Sequence, residues 1–223
     1  MRKPEREQGR IYQRSHFALL TRGLSQVYED TFPHTFAQKQ TWLPWPISIG
    51  AVALMTVALS FEGRIWWCKR GDTAIYINDA WSTHTSQHFL DPYSFTHILH
   101  GVMFFWIAAL VFSKLSANWR FLIAVIAEAG WEILENSNWI IEKYRENTAS
   151  LDYFGDSIAN SIGDVLCCAA GFWIAYKLGW WRSLAFFVVV EIVLLLWVRD
   201  SLVLNIIMLL YPFNGLKHWQ MGM

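Results

Sequence analysis

Five apolar runs, each close to the length of a bilayer-crossing helix, leave this chain few ways to fold: Leu43 to Phe61, Phe95 to Phe112, Trp119 to Ile141, Ser157 to Leu178 and Ser183 to Val198. Hydrocarbon offers the backbone no water, so runs of this kind satisfy their own N–H and C=O groups as α-helices. A sixth run, Leu202 to Phe213, is too short for an untilted span. It reads as a re-entrant or interfacial helix, or as a sixth span continued by its flanks. Composition agrees: 223 residues with 54% hydrophobic and 16% charged side chains belong with polytopic membrane proteins rather than soluble domains. The expected architecture is all-α, a helical membrane domain of five to six transmembrane helices over residues 43–223, preceded by an arm at 1–42.

Lys+Arg and Asp+Glu balance at 18 each, which gives no reason to expect nucleic acid as a partner. Their distribution says more. Arg2, Lys3, Arg6, Arg10, Arg14, Arg22 and Lys39 precede the first apolar run, which predicts a cytoplasmic N-terminus in a bacterial inner membrane. The loops holding Lys114/Arg120 and Lys177/Arg182 are then inside, and those around residues 63–93 and 142–156 outside. The first run begins too late for a cleavable signal peptide and reads as a retained anchor. Within the arm, Tyr12, Leu19, Leu20, Leu24, Val27 and Tyr28 fit an amphipathic helix on the inner leaflet, or else a disordered tail. Trp42, Trp45, Trp66, Trp67, Trp119, Trp180 and Trp181 flank the apolar runs as an interfacial belt does. Cys68 stands alone outside and Cys167 and Cys168 are adjacent in a span, so no disulfide framework is expected.

Ionisable groups cluster where they are most costly. A charged side chain at mid-bilayer costs roughly 2.5 to 3.5 kcal/mol on insertion scales, yet Glu128, Glu132 and Glu135 lie within the third run. Their spacings of four and three place all three on one helix face. A solvated surface stripe is the usual explanation, but apolar residues precede and follow these three. His97 and His100 project from one face near the outer start of the second run, after the helix-starting Asp91-Pro92. Such a pair ligates a metal, shuttles protons, or simply forms two hydrogen-bonded core histidines. Asp152, Asp156, Asn160 and Asp164 recur every four residues from the outer loop into the fourth run. Arg145 and Ser150 precede them, and Gly155, Gly163 and Gly171 would let another helix approach closely. Asn160 serves equally well as a hydrogen-bonding link between helices.

Topology brings the outer ends of runs two, three and four to one leaflet, so these groups surround a single outward-facing cavity. So many carboxylates need a cation, shared protons or paired His⁺ and Arg⁺ to be tolerated. The expected catalytic set is His97, His100, Glu128, Glu132, Glu135, Asp152, Asp156 and Asp164. Arg145, Asn160 and Ser150 are expected to bind substrate, and His97, His100, Glu132 and Asp156 to hold a divalent metal ion, the one cofactor the sequence suggests.

The segments HFLDPYSFTHILHG (88–101), EAGWEILEN (128–136) and YRENTASLDYFGDSIANSIGDV (144–165) resemble an uncharacterised family of bacterial inner-membrane proteins, a domain of unknown function. More distantly, the acidic helix followed by Arg, an Asp-containing segment, Asn and Gly resembles VanZ-like membrane proteins, whose founding member is associated with glycopeptide resistance. Neither resemblance supplies a catalytic mechanism. The Lys, Arg-Pro and Ser-Gly-His blocks of acid lipid phosphatases and the DG…AR elements of alcohol phosphotransferases are missing, and seven histidines are too few for a di-iron desaturase. Three functions fit: an enzyme acting on a lipid or lipid-linked phosphorylated substrate, a small proton- or metal-coupled transporter, or a non-catalytic envelope-lipid-binding protein. Membrane lipids are the expected partners in all three. The inner halves of the runs, such as Val102 to Val111 and Phe121 to Ile126, are nearly all apolar, which suits a dead-end cavity better than a conduit. Glu191, within the fifth run, is the exception.

Overall fold

The computed structural model describes residues 41–222, so the expected amphipathic helix of the arm lies outside the described residues. Those residues form seven helices: α1 (Pro44–Phe61), α2 (Ser94–Val111), α3 (Ala117–Glu135), α4 (Asn138–Asn147), α5 (Ile158–Val198), α6 (Leu202–Leu210) and α7 (Asn214–Gln220). Among them the one strand-like feature is an isolated bridge between Tyr76 and Leu90.

Local chemistry sets the helix ends. Pro44 opens α1, where its missing N–H goes unneeded. Before α2, Asp91 accepts hydrogen bonds from the backbone N–H groups of Ser86 (2.7 Å), Tyr93 (2.7 Å) and Ser94 (3.2 Å), fixing the angle at which the chain turns into the helix. The apolar run expected to continue from Trp119 to Ile141 is instead broken. α3 stops at Glu135, Ser137 is extended, and its hydroxyl accepts from Ile140 N to start α4. Ser157 and Ser201 cap α5 and α6 in the same way.

α5 comprises two helices joined at Gly179, whose φ of 72° and ψ of 179° no helix interior allows and few residues other than glycine adopt. Side-chain contacts give the directions of the two halves. Phe105 meets Phe172 (5.5 Å between ring centroids) while His97 lies near Asp164, so the first half runs parallel to α2. Trp106 meets Trp180 (5.3 Å) and Phe187 (5.5 Å) while Phe95 meets Trp197 (5.9 Å), so the second half runs back along it. The expected fourth and fifth apolar runs are these two halves. α1 runs parallel to α3, with Trp45 against Phe121 (5.0 Å), and antiparallel to the first half of α5, with Trp45 stacked on Trp173 and the carbonyl of Ile65 accepting from Ile158 N at 2.8 Å.

This alternation sorts the connections. The long segments 62–93, 136–157 and 199–222 meet at one end of the bundle, and among the described residues the connections between helices at the other are the short turns at 112–116 and Gly179. Toward the short-turn end Trp45, Phe105, Phe121, Phe172, Trp173 and Tyr176 pack ring to ring. At the loop end, Lys217 Nζ donates to the carbonyl of Glu146 (2.5 Å) and ties the C-terminal segment to α4.

α1, α2 and α5 are long and apolar enough to cross a membrane. α3 is as long but carries Arg120, Glu128, Glu132 and Glu135. The outer surface is apolar: Leu54 is 68% exposed, Val189 57% and Leu196 82%, a face that a soluble monomer rarely presents so widely. Lipid tails are as apolar as leucine, so close backbone approach rather than burial holds such helices together. α2 and α5 meet along glycines. A Cβ on Gly101 would strike the carbonyl of Cys168, one on Gly171 that of Ile98, and one on Gly163 that of Phe89.

Candidate functional site

α2 supplies His97 and His100 to the loop end of the bundle, α3 supplies Glu128, Glu132 and Glu135, and the first half of α5 supplies Asn160 and Asp164. The Nδ1 atoms of both imidazoles converge on Glu128: His97 lies 2.6 Å from Oε1, and His100 lies 3.1 Å and 3.0 Å from Oε1 and Oε2. His97 also reaches Glu132 Oε1 at 3.4 Å and, through Nε2, Asp164 Oδ2 at 3.8 Å. All five of these residues are buried, Glu128 and Glu132 completely.

The donors are too few. Glu132 accepts no hydrogen bond on either oxygen among the described residues, and Asp164 Oδ1, Glu135 Oε2 and Asn160 Nδ2 are likewise buried without a hydrogen-bond partner. Two groups of ligand atoms lie close enough to hold a metal ion, His97/His100/Glu128 and His97/Glu132/Glu135, with all atoms in each within 4.8 Å of one another. A divalent cation matches such nitrogen and carboxylate donors, and it would offset the excess of carboxylates over histidines.

The remaining expected site residues are placed differently. Asp156 joins neither metal group. It links the loop to the end of α3, accepting from Asn136 Nδ2 (3.0 Å) and Tyr153 Oη (3.0 Å) and donating its own N–H to Asn136 Oδ1 (2.7 Å). Burial raises its pKa, opposed by the hydrogen bonds its carboxylate takes from Ser86, Tyr153 and Asn136. Asp152 is exposed at the cavity mouth beside Ser150. Arg145 donates from Nε to the carbonyl of Tyr153 (2.6 Å) and lies over the Phe154 ring (4.6 Å), so it braces the loop. Glu191 accepts from Leu202 N (3.0 Å) and Val203 N (3.3 Å), capping α6 rather than joining the cluster.

Three partners carried no signal in the sequence: Asn136, Tyr144 and Tyr153. Tyr144 donates to Glu135 Oε1 at 2.8 Å. Burial first, and the nearby carboxylates second, push the hydroxyls of Tyr144 and Tyr153 well above the usual range for a phenol, so both remain donors.

A cavity of about 1330 Å³ opens over the cluster. His97, His100, Glu135 and Asp164 line its polar part, Met103, Phe104, Trp131 and Leu134 its apolar wall, and Lys69, Arg70 and Arg199 also border it. Arg145 instead borders a separate, smaller cavity.

Fold and site define an all-helical protein of membrane-crossing composition, with a buried His/Glu/Asp centre at the end where its loops gather. The chain belongs to the bacterial family described as "Protein of unknown function (DUF2585)", which matches residues 59–222. It is similar to UPF0314 proteins of Brucella anthropi (42% identical, covering 79% of this chain and 90% of the relative), Paracoccus denitrificans (38%, 79% and 92%) and Sinorhizobium fredii (38%, 83% and 94%). No solved structure matches it.

Proposed function

We propose that this protein is a multi-pass enzyme of the bacterial inner membrane that uses a divalent metal at the His/Glu/Asp centre to act on a phosphorylated lipid or lipid-linked substrate at the outer leaflet. The observation that carries this reading is Glu132, a fully buried carboxylate that accepts no hydrogen bond among the described residues and lies within ligand distance of His97 and Glu135. A charged carboxylate that accepts no hydrogen bond, with His97 Nδ1 3.4 Å away, would cost several kcal/mol in so buried a place, and a bound cation lowers that cost.

The five antiparallel segments α1, α2, α3 and the two halves of α5 fit five crossings. The basic residues before Trp42 and at the short-turn end favour a cytoplasmic N-terminus. The loop end, with its cavity, then faces outward. An apolar wall beside a polar floor suits a molecule with acyl and phosphate parts, and Lys69, Arg70 and Arg199 are better placed than Arg145 to meet the phosphate. The metal would polarise a phosphoryl oxygen. A carboxylate of the cluster, Glu135 in this reading, takes a proton from the attacking water or alcohol as its oxygen bonds to phosphorus, and the phosphorus–oxygen bond to the leaving group breaks. The close ring packing toward the short-turn end favours a dead-end cavity over a conduit.

Metal analysis by mass spectrometry on the protein in nanodiscs tests this, with wild type beside His100→Ala and Glu132→Gln. One equivalent of metal lost in both variants, with turnover of phospholipid or polyprenyl phosphate lost in Glu132→Gln, is the expected result. Equal metal in all three proteins would overturn the metal centre. Lipid that binds but is never converted would make the protein a receptor rather than an enzyme.

A further inference from the structure

The segment between α1 and α2 forms one wall of the cavity, yet among its residues regular structure is confined to the bridge between Tyr76 and Leu90. A long irregular segment that keeps one shape needs something to pin it. Cys68, His84 and His88 from this segment come together: Cys68 Sγ lies 3.4 Å from His84 Nδ1, and His88 Nε2 lies 3.5 Å from the same nitrogen. The three offer ligand atoms within 4.8 Å of one another. Asp72 Oδ2 lies 3.9 Å from His84 Nδ1 but not within 4.8 Å of all three, so it stands beside the group rather than in it.

We propose that Cys68, His84 and His88 bind a second metal ion of the zinc class that staples this segment over the cavity. Bonds of 2.0 to 2.3 Å at the tetrahedral angle put neighbouring ligand atoms about 3.3 to 3.6 Å apart, and the two shorter separations match. The orientation of His88 is the stronger argument. It is fully buried, and its Nδ1 contacts the carbonyl of Ala74 at 2.5 Å. A carbonyl only accepts, so Nδ1 carries the proton and Nε2 presents its lone pair to His84 and Cys68. That is how metal-binding histidines are held. Trp67 packs edge-on against the His88 ring and donates from Nε1 to the carbonyl of Asp72 (2.7 Å), while Asp72 Oδ1 accepts from Ala74 N (2.8 Å). These contacts position His88 and the neighbouring Asp72. One thiolate and two imidazoles favour zinc over magnesium or calcium, which prefer oxygen alone. The site shares no residue with the His97/Glu132 centre and does not depend on what that centre does.

Cobalt(II) added to chelator-stripped full-length protein in nanodiscs tests the assignment, because a thiolate bound to cobalt absorbs in the near ultraviolet and a purely nitrogen and oxygen site does not. The expected result is this band at one equivalent in wild type and in Glu132→Gln, and its loss in Cys68→Ser and His88→Gln. A second readout needs no variant: zinc added to stripped wild type should slow alkylation of Cys68 at least tenfold, followed by peptide mass spectrometry against Cys167 and Cys168. A missing band in wild type, a band that survives Cys68→Ser, or alkylation of Cys68 indifferent to zinc would each overturn the proposal.

Discussion

His97 Nδ1 lies 2.6 Å from Glu128 Oε1, so α2 and α3 are joined by a hydrogen-bonded contact in the interior of the bundle. His100 contacts both oxygens of the same carboxylate. Replacing Glu128 by Ala would leave two buried imidazoles facing a gap. The expected loss is up to about 3 to 5 kcal/mol, the cost of removing one partner from a buried ion pair when the imidazoles are protonated. Glu128→Gln keeps the volume and an acceptor and should lose about half as much. Thermal unfolding of both variants in detergent measures the difference.

Glu132 should behave in the opposite way when metal is absent. Its carboxylate has no hydrogen-bond donor to lose, so Glu132→Gln in stripped protein is expected to melt at the same temperature as wild type or higher. Adding metal should raise the melting temperature of wild type by more than that of Glu132→Gln, since a ligand stabilises the state that binds it and the variant lacks one of the two sites. A metal-free Glu132→Gln that melts well below wild type would mean that the carboxylate holds a structural contact.

Much of this arrangement was legible in the sequence because helical spacing is rigid. His97 and His100, or Glu128, Glu132 and Glu135, face one way on any helix, and antiparallel packing of apolar runs brings those faces to one end. What spacing cannot convey is pairing across distant segments. Glu191 looked like an ion-path residue because its partners, Leu202 N and Val203 N, are backbone groups beyond a turn. Asp156 looked like a ligand because nothing marks Asn136 as its partner. The break after Glu135 was hidden inside an apolar run, where Trp139, Ile140 and Ile141 continue the hydropathy while Ser137 starts a new helix.

The glycine seam gives a matched pair of variants. Gly171→Ala drives a methyl into the carbonyl of Ile98, backbone that cannot swing aside. It should destabilise the protein by about 1 to 3 kcal/mol, the usual range for overpacking. Gly130, in α3, has nothing within 4 Å of where a Cβ would stand, so Gly130→Ala should be neutral or stabilise by up to about 1 kcal/mol through helix propensity. Unfolding midpoints in detergent distinguish the two, and equal effects would mean that α2 and α5 do not meet along these glycines.

Glu191 should matter to α6 and to nothing in the metal centre. Glu191→Ala removes a carboxylate from the first N–H groups of that helix, worth about 0.5 to 2 kcal/mol as a cap. Amide exchange should quicken across Leu202–Leu210 while metal content stays at the wild-type value. Loss of metal in this variant would instead join Glu191 to the ion site and revive a path across the bundle.

Asp200 predicts the pH dependence. It follows the end of α5, outside the crossing segments, and burial pushes its pKa up to about 7, with its hydrogen bond from Ser201 N (2.8 Å) opposing the shift. The folded protein therefore keeps the proton over a range in which the unfolded chain, with an ordinary aspartate, has lost it. Stability contributed by this group is full below about pH 4, falls as pH rises toward 7 and is level above that. Three pK units correspond to at most about 4 kcal/mol. Asp200→Asn keeps the acceptor for Ser201 N and cannot ionise, so it should equal wild type at pH 4 and exceed it at pH 8. Melting temperatures of the two proteins across that range provide the check, and curves that stay parallel would mean that Asp200 reaches solvent and titrates as an ordinary carboxylate.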